Sequence, residues 1–255
     1  MSFTKAGVMG VAAHRGDSYN YPENTMLAFE KAIEAGADML ETDVRMSADG
    51  VLVLMHDAKV DRTTDGRGIV REMKAEEIAA LNAGNALCPQ RVPLFEEVLA
   101  LAARRSVALN IEIKEYREEG NGDRWMECTD KVLALVEQYG MAERILINSF
   151  DAPVLEYVYR KHGKRYKLHG FYPYSAMIHV GIDPDEYLFC ACLCNVRDPK
   201  LYDDLIRKGI EPWIGAGVTG ESELELCCRY GARLITANAP GDALEKLGRL
   251  GRRDG

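Results

Sequence analysis

The stretch LETDVRMSADGVLVLMHD, residues 40–57, sets Glu41 and Asp43 two apart in apolar surroundings, turns at Asp49-Gly50 and returns with His56-Asp57. Two further segments carry comparable chemistry. AAHRG ends in His14 and Arg15 before Gly16, and LNIEIK spaces Glu112 and Lys114 two apart, with Asn110 one step deeper. Residues two apart on a strand face the same side, so each pair is presented together. Three carboxylates at one rim repel each other unless a cation binds, and an all-oxygen donor set favours Mg2+ or Ca2+ over zinc. A site of this kind calls for an anionic ligand, and a phosphodiester fits. Arg15, Lys114 and the metal would neutralise charge on its non-bridging oxygens, while one imidazole removes a proton and the other gives one to the leaving alcohol. Imidazoles titrate near ~6.5, which suits that exchange at neutral pH.

Something must bring these segments together. Apolar runs of strand length recur at Val8–Ala13, Met39–Val44, Val107–Ile113, Arg144–Ser149, Lys167–Phe171, Leu188–Leu193, Ile210–Gly215 and Arg233–Ala237. Helical patterns lie between them, such as Met26, Phe29 and Ile33, or Leu133, Val136 and Tyr139. Glycines 36, 140, 163, 209 and 231 stand where helices would stop. Eight strands alternating with helices over 255 residues is the arithmetic of an α/β protein of the TIM (β/α)8 barrel type, in which catalytic groups sit at the C-terminal ends of strands. Val51–Met55 follows the SADG turn too closely for a parallel crossover, so a hairpin extension after the second strand is expected. It would return His56 to the level of Glu41 and Asp43. Residues 58–93, rich in charge and glycine, read as a small lobe inserted into a single domain spanning 1–255.

Composition narrows the partners. Lys+Arg 32 against Asp+Glu 40 gives a net charge of −8, which argues against a nucleic-acid binder or stable association with an anionic membrane. The opening MSFTKAGVMGVAAHRG lacks the hydrophobic region and cleavage site of a signal peptide, so a cytoplasmic location is expected. Seven cysteines, an odd number scattered along the chain, argue against a disulfide framework. Cys190, Cys192 and Cys194 are expected as reduced, buried thiols.

HRG (14–16), PENT (22–25), AFEKAIEAGADMLETDV (28–44), DGVLVLMHD (49–57), DRTT (61–64), VPLFEEVL (92–99), NIEIK (110–114) and SF (149–150) together resemble the glycerophosphodiester phosphodiesterase family. The resemblance implies a TIM barrel with a small inserted lobe and one divalent cation, Mg2+ or Ca2+ with Mn2+ as a third choice, held by Glu41, Asp43 and Glu112. It implies His14 and His56 as the acid/base pair; the sequence leaves open which is base and which acid, with His14 as base and His56 as acid the preferred order, and Arg15 and Lys114 meet the phosphate by the charge argument above. The implied reaction converts a small-molecule glycerophosphodiester to sn-glycerol 3-phosphate and an alcohol, by attack of the neighbouring glycerol hydroxyl and a cyclic phosphate that water then opens. The chain departs from the family pattern after Trp213, where IGAGVTG stands in place of a Thr-Val-Asn-like tripeptide.

Several residues have a bland reading beside the functional one. Glu23 is a candidate substrate contact, yet an acid at a helix start also suits the dipole, and Asn24 reads as the helix cap. Trp213 either packs at the barrel top or stacks on the glycerol or head group. Phe171, Tyr172 and Tyr174 either line the alcohol pocket or belong to the core. Asp57 reads as support for His56, and Arg62 as a salt bridge or a substrate contact. His162, His169 and His179 read as structural or surface residues. Two rival functions keep the same site: cleavage that stops at the cyclic phosphate, and a non-catalytic phosphodiester-binding barrel. An amidohydrolase-type metal barrel is disfavoured, because Gly16 stands where a second histidine would follow His14.

Overall fold

In chain order the strands and helices are β1 (Gly10–His14), α1 (Met26–Glu34), β2 (Met39–Met46), β3 (Leu52–Leu54), α2 (Ala75–Ala79), α3 (Phe95–Arg105), β4 (Ala108–Ile113), α4 (Arg124–Gln138), β5 (Ile145–Asn148), α5 (Ala152–His162), β6 (Lys167–Tyr172), β7 (Cys190–Leu193), α6 (Pro199–Arg207), β8 (Glu211–Ile214), α7 (Glu221–Tyr230), β9 (Leu234–Ala237) and α8 (Pro240–Arg249). The computed structural model describes residues 3, 8–118 and 122–252. All strands but β3 pair in parallel, and β1 pairs with both β2 and β9, so the sheet closes into the eight-stranded barrel expected from the alternation. Helices cross over between the barrel strands, except between β6 and β7. There two single helical turns, Tyr174–Ala176 and Pro184–Glu186, replace an α-helix, because Pro173, Gly181 and Pro184 interrupt any helical pattern.

Strand alternation sorts the side chains. Val11, Leu40, Ile111, Ile147 and Leu168 point outward into the core shared with the helices. Ala12, Met39, Leu146, Cys190, Trp213 and Leu234 fill the barrel interior as a separate cluster. Its tight filling is what a barrel of eight strands requires, since the interior is packed by layers of side chains. One step nearer the C-terminal ends, the inward positions of β2 and β4 become Glu41, Asp43 and Glu112, all buried.

β3 runs antiparallel to β2, with Leu54 opposite Val44 and Leu52 opposite Met46. It takes up the edge of β2 beyond the point where β1 ends, and its own alternation divides two cores. Leu52 and Leu54 join the main core, while Val53 and Met55 join Val60, Val70, Ile78 and Val92 in a small cluster inside the 58–93 segment. The 58–93 segment therefore packs on a strand that also carries the chain back toward Asp43.

Glycines 36, 140, 163, 209 and 231 all adopt left-handed backbone, with φ from 61° to 95°. All seven cysteines are free. Of the three expected to be buried on one strand, only Cys190 is; Cys192 is half-buried facing the cavity and Cys194, past the strand end, is exposed. Among the described residues no helix is long and apolar enough to cross a membrane.

Candidate active site

The barrel register aligns the acidic residues. His14 lies opposite Glu41, Glu41 opposite Asn110, Asp43 opposite Glu112, and Glu112 opposite Asn148. One oxygen from each of Glu41, Asp43 and Glu112 lies within 4.8 Å of the other two. At that separation each pair of like charges repels by about 3.5 kcal/mol for an effective dielectric of ~20. Two cations lean on the cluster. Lys114 Nζ is 2.5 Å from Glu112 Oε1 and 3.3 Å from Asp43 Oδ1, and Arg15 Nε is 3.1 Å from Asp43 Oδ2.

The loop after β1 is folded around these carboxylates. Arg15 donates its backbone N–H to Glu41 Oε2 at 3.0 Å. Gly16 follows at φ +81°, and a Cβ there would stand 2.6 Å from the carbonyl carbon of Ala28, so only glycine lets the loop press against α1. Asn24 also takes a left-handed conformation, φ 55°, which costs a residue with a side chain about 1–2 kcal/mol. Its amide offsets that cost by donating to Asp43 Oδ2 at 2.8 Å and accepting from Thr42 Oγ1 at 2.9 Å. Asn24 is therefore not the helix cap. Thr25 is, accepting from Ala28 N, and Asn24 is released to hold Asp43.

Both histidines reach the mouth, each oriented through Nδ1. His14 Nδ1–H donates to Asn238 Oδ1 at 2.6 Å, which leaves Nε2 as the free acceptor, 4.0 Å from Glu41 Oε2. Burial, with Arg15 adding, lowers the pKa of His14 below the ordinary imidazole value. His56 arrives on the return of β3, where Met55 N–H donates to Asp43 O at 3.1 Å, and its Nδ1–H donates to Asp57 Oδ1 at 2.6 Å. Asp57 is held well below the usual carboxylate range, first by hydrogen bonds from Arg62 and then by that from His56. Arg62 also grips Glu23 at 2.8 and 2.9 Å, and Glu23 in turn accepts from Arg15 Nη1 at 3.1 Å. Arg62 is thus a salt-bridging residue, and Glu23 sits between two arginines rather than facing the cavity.

Charge at the cluster is unevenly shared. Burial, reinforced by Asp43 and Glu112, raises Glu41 well above the ordinary carboxylate value. Burial also raises Glu112, against the pull of Lys114. Asp43 is lowered, because Lys114 and Arg15 outweigh its burial. Burial opposes the charge on Lys114, but Glu112 and Asp43 hold its pKa above the ordinary value. The pattern is that of a site short of positive charge. Asp43 Oδ1 is buried without a hydrogen bond, and the remaining donors are carboxylate oxygens, so the residues present fit a hard divalent cation.

A cavity of about 250 Å³ opens above the cluster, lined among others by His14, Arg15, Glu41, His56, Glu112 and Lys114. Its far wall is Phe150 stacked on Phe171, ring centroids 3.5 Å apart. Tyr172 and Tyr174 do not line it; they turn outward to Asp204 and Asp185. Trp213, expected as a candidate substrate contact, is 1% exposed and packs in the interior layer below, its ring 5.0 Å from His169. Past the end of β8, Gly215 and Ala216 are the residues that reach the cavity. Sequence reasoning also missed Asn238, Asn148 and Phe150. Asn238 follows the last strand as His14 ends the first, and barrel closure makes those strands neighbours. His169, read as structural or surface, is buried inside the barrel, pushed down to about 3 by desolvation, and contributes to the cavity lining.

A family model described as the glycerophosphoryl diester phosphodiesterase family matches residues 14–177, a span that includes His14, Glu41, Asp43, His56, Glu112 and Lys114 and ends before Trp213. A glycerophosphodiester phosphodiesterase of Caldanaerobacter subterraneus is 33% identical over 238 residues, covering 90% of this chain and 94% of that protein. One from Bacillus altitudinis is 34% identical over 220 residues, covering 83% and 78%. Among solved structures, a glycerophosphodiester phosphodiesterase from Agrobacterium tumefaciens superposes with a TM-score of 0.74 at 24% identity, covering 92% and 98%. A phosphodiesterase from Oleispira antarctica in complex with the product sn-glycerol-3-phosphate superposes at 0.80 and 20% identity, covering 94% and 97%. At those identities the structural likeness speaks for the fold.

Proposed function

This chain belongs to the glycerophosphoryl diester phosphodiesterase family, and on that premise we propose that it hydrolyses glycerophosphodiesters to sn-glycerol 3-phosphate and an alcohol, using one divalent cation and the pair His14 and His56. The observation that carries this reading is the buried triad Glu41, Asp43 and Glu112, with donor oxygens within 4.8 Å of one another, under a cavity that both histidines line. The relatives named for this activity align over most of their length.

Glu41, Asp43 and Glu112 would hold Mg2+ or Ca2+, with Mn2+ as a third choice. The bound ion supplies Lewis-acid neutralisation of the phosphoryl oxygens. Arg15 and Lys114 add fixed positive charge beside the same oxygens, in a site where burial strengthens each interaction. His14, neutral and with Nε2 free, takes the proton from the glycerol hydroxyl next to the phosphate. That oxygen attacks phosphorus, the bond to the leaving oxygen breaks, and His56, its ring set by Asp57, gives that oxygen a proton. Water then opens the cyclic phosphate with the two imidazoles in exchanged roles. The stacked Phe150 and Phe171 give the carbon face of the glycerol an apolar wall. The net charge of −8 favours free, water-soluble diesters over membrane lipid, in keeping with a cytoplasmic enzyme.

Phosphorus NMR of chelator-treated protein with a panel of glycerophosphodiesters, adding Mg2+, Ca2+ or Mn2+ singly, tests the proposal. Metal-dependent release of glycerol 3-phosphate is expected. A cyclic phosphate that persists would assign the protein to transfer without hydrolysis, and no turnover with any ion would refute the hydrolase reading.

A further inference from the structure

Arg45 stands two residues beyond Asp43 on β2. Its guanidinium spans the two segments that bring His56 and Lys114 to the cavity. Nε and Nη2 donate to the backbone carbonyl of His56 at 3.0 and 2.9 Å, and Nη1 donates to the carbonyl of Lys114 at 3.1 Å. These segments leave β2 on opposite sides: the His56 segment continues from antiparallel β3, and Lys114 extends parallel β4. The ladder carries each only so far. Met55 N–H still pairs with Asp43 O and Lys114 N–H with Val44 O, but the carbonyls of His56 and Lys114 lie past those last rungs and turn to the arginine instead.

We infer that Arg45 is a positioning residue for catalysis: its fork ties the backbone of His56 to that of Lys114 and so fixes the imidazole against the ammonium across the bound phosphodiester. Only a planar guanidinium can do this, because it presents several N–H groups in fixed directions at once, whereas an ammonium offers a single point of charge. Asp57 sets the rotation of the His56 ring, and Arg45 sets where that ring's backbone stands. The side chain makes no contact with the cavity that holds the acid cluster and faces a separate cleft of about 180 Å³ shared with Lys59, Arg71 and Tyr116. A displacement of 1 Å in a reacting group can cost about 100-fold in rate, so a modest relaxation of either segment is measurable.

The inference rests on the reading of His56 as the acid for the leaving alcohol. The test compares Arg45→Lys and Arg45→Met with wild type on two sn-glycerol 3-phosphate diesters, one of ethanolamine and one of p-nitrophenol, whose departure needs little help from an acid. For both variants kcat on the ethanolamine diester is expected to fall about 10- to 100-fold with KM within about threefold, and the deficit on the nitrophenyl ester to be at least fivefold smaller. Unfolding midpoints measured alongside identify any variant that fails to fold, and Arg45→Lys, which keeps the charge, stands in if Arg45→Met does. Wild-type kcat in folded Arg45→Lys would overturn the inference, since charge without the fork would then suffice. Equal deficits on the two esters would overturn it as well. His56→Ala separates the two readings. A His56→Ala deficit equal on both esters removes the acid assignment and the inference with it, whereas a strong leaving-group dependence in His56→Ala beside a normal Arg45→Lys overturns the role of Arg45 alone.

Discussion

Glu41→Gln is expected to make the metal-free protein more stable while erasing its response to metal. Glu41 is 2% exposed, and its oxygen lies within 4.8 Å of both Asp43 and Glu112. Each of those pairs costs about 3.5 kcal/mol at an effective dielectric of ~20. The charges of Arg15 and Lys114 return part of it, and the backbone N–H of Arg15 at 3.0 Å rewards an acceptor whether or not it is ionised. Glutamine keeps the size and that acceptor and removes the repulsion. A net gain of about 2–3 kcal/mol follows, roughly 5–10 °C in unfolding midpoint for a chain of this length. Metal acts in the opposite sense. An ion at about 100 times its Kd stabilises the folded wild type by about 2.7 kcal/mol, and a site with one charged donor fewer should lose most of that. Urea unfolding in EDTA and in excess Mg2+ or Ca2+ reads both effects on one pair of samples. A variant less stable than wild type in EDTA, with an undiminished metal shift, would show that Glu41 is a structural carboxylate, and the charge argument would fail.

Three further outcomes follow from particular contacts. Asn238→Ala removes the acceptor that holds His14 Nδ1–H and should lower kcat about tenfold or more while costing only about 1–2 kcal/mol of stability, since the bonds its Oδ1 accepts from His14 and from Ser18 Oγ are lost; an unchanged kcat would sever Asn238 from the chemistry. Asp57 is held below its unfolded-state value of about 3.9, so the stability it contributes is complete above about pH 4 and is lost as the pH falls below it. Asp57→Asn should therefore flatten the acid side of the stability profile, and superimposable profiles from pH 2 to 6 would contradict the Arg62–Asp57 pairing. Trp213→Leu should cost about 2–4 kcal/mol by leaving space in the barrel interior, with KM within about twofold; a tenfold rise in KM would return Trp213 to the substrate surface.

Much of the site was legible because its geometry is local. Glu41 with Asp43, and Glu112 with Lys114, are each two apart on one strand, and alternation turns such pairs to the same side in any register. The barrel was legible from eight strand-length runs, and the hairpin from a turn too short for a crossover. His56 near the carboxylates followed from counting residues out and back along that hairpin. Where the reading failed, the deciding partner was remote or the question was one of depth. Asn24 was read as a cap because its neighbours allow one, but Thr25 caps α1 and Asn24 turns to Asp43, 19 residues on.

The sequence by itself determined which strands exist, which residues on them face inward, and therefore which carboxylates, cations and imidazoles meet at the mouth, because these depend on spacings of two residues and on short turns. Only the tertiary structure decided how deep each inward residue lies and what holds it. Barrel closure sets the stagger of β8 against β7 and β9, with Trp213 opposite Cys192 and Leu234, and so buries Trp213 and leaves Gly215 at the rim. Closure likewise brings Asn238 to His14 across 224 residues, and Arg45 meets the Lys114 carbonyl 69 residues away. Such contacts arise from the register of the whole ring, which no single segment encodes.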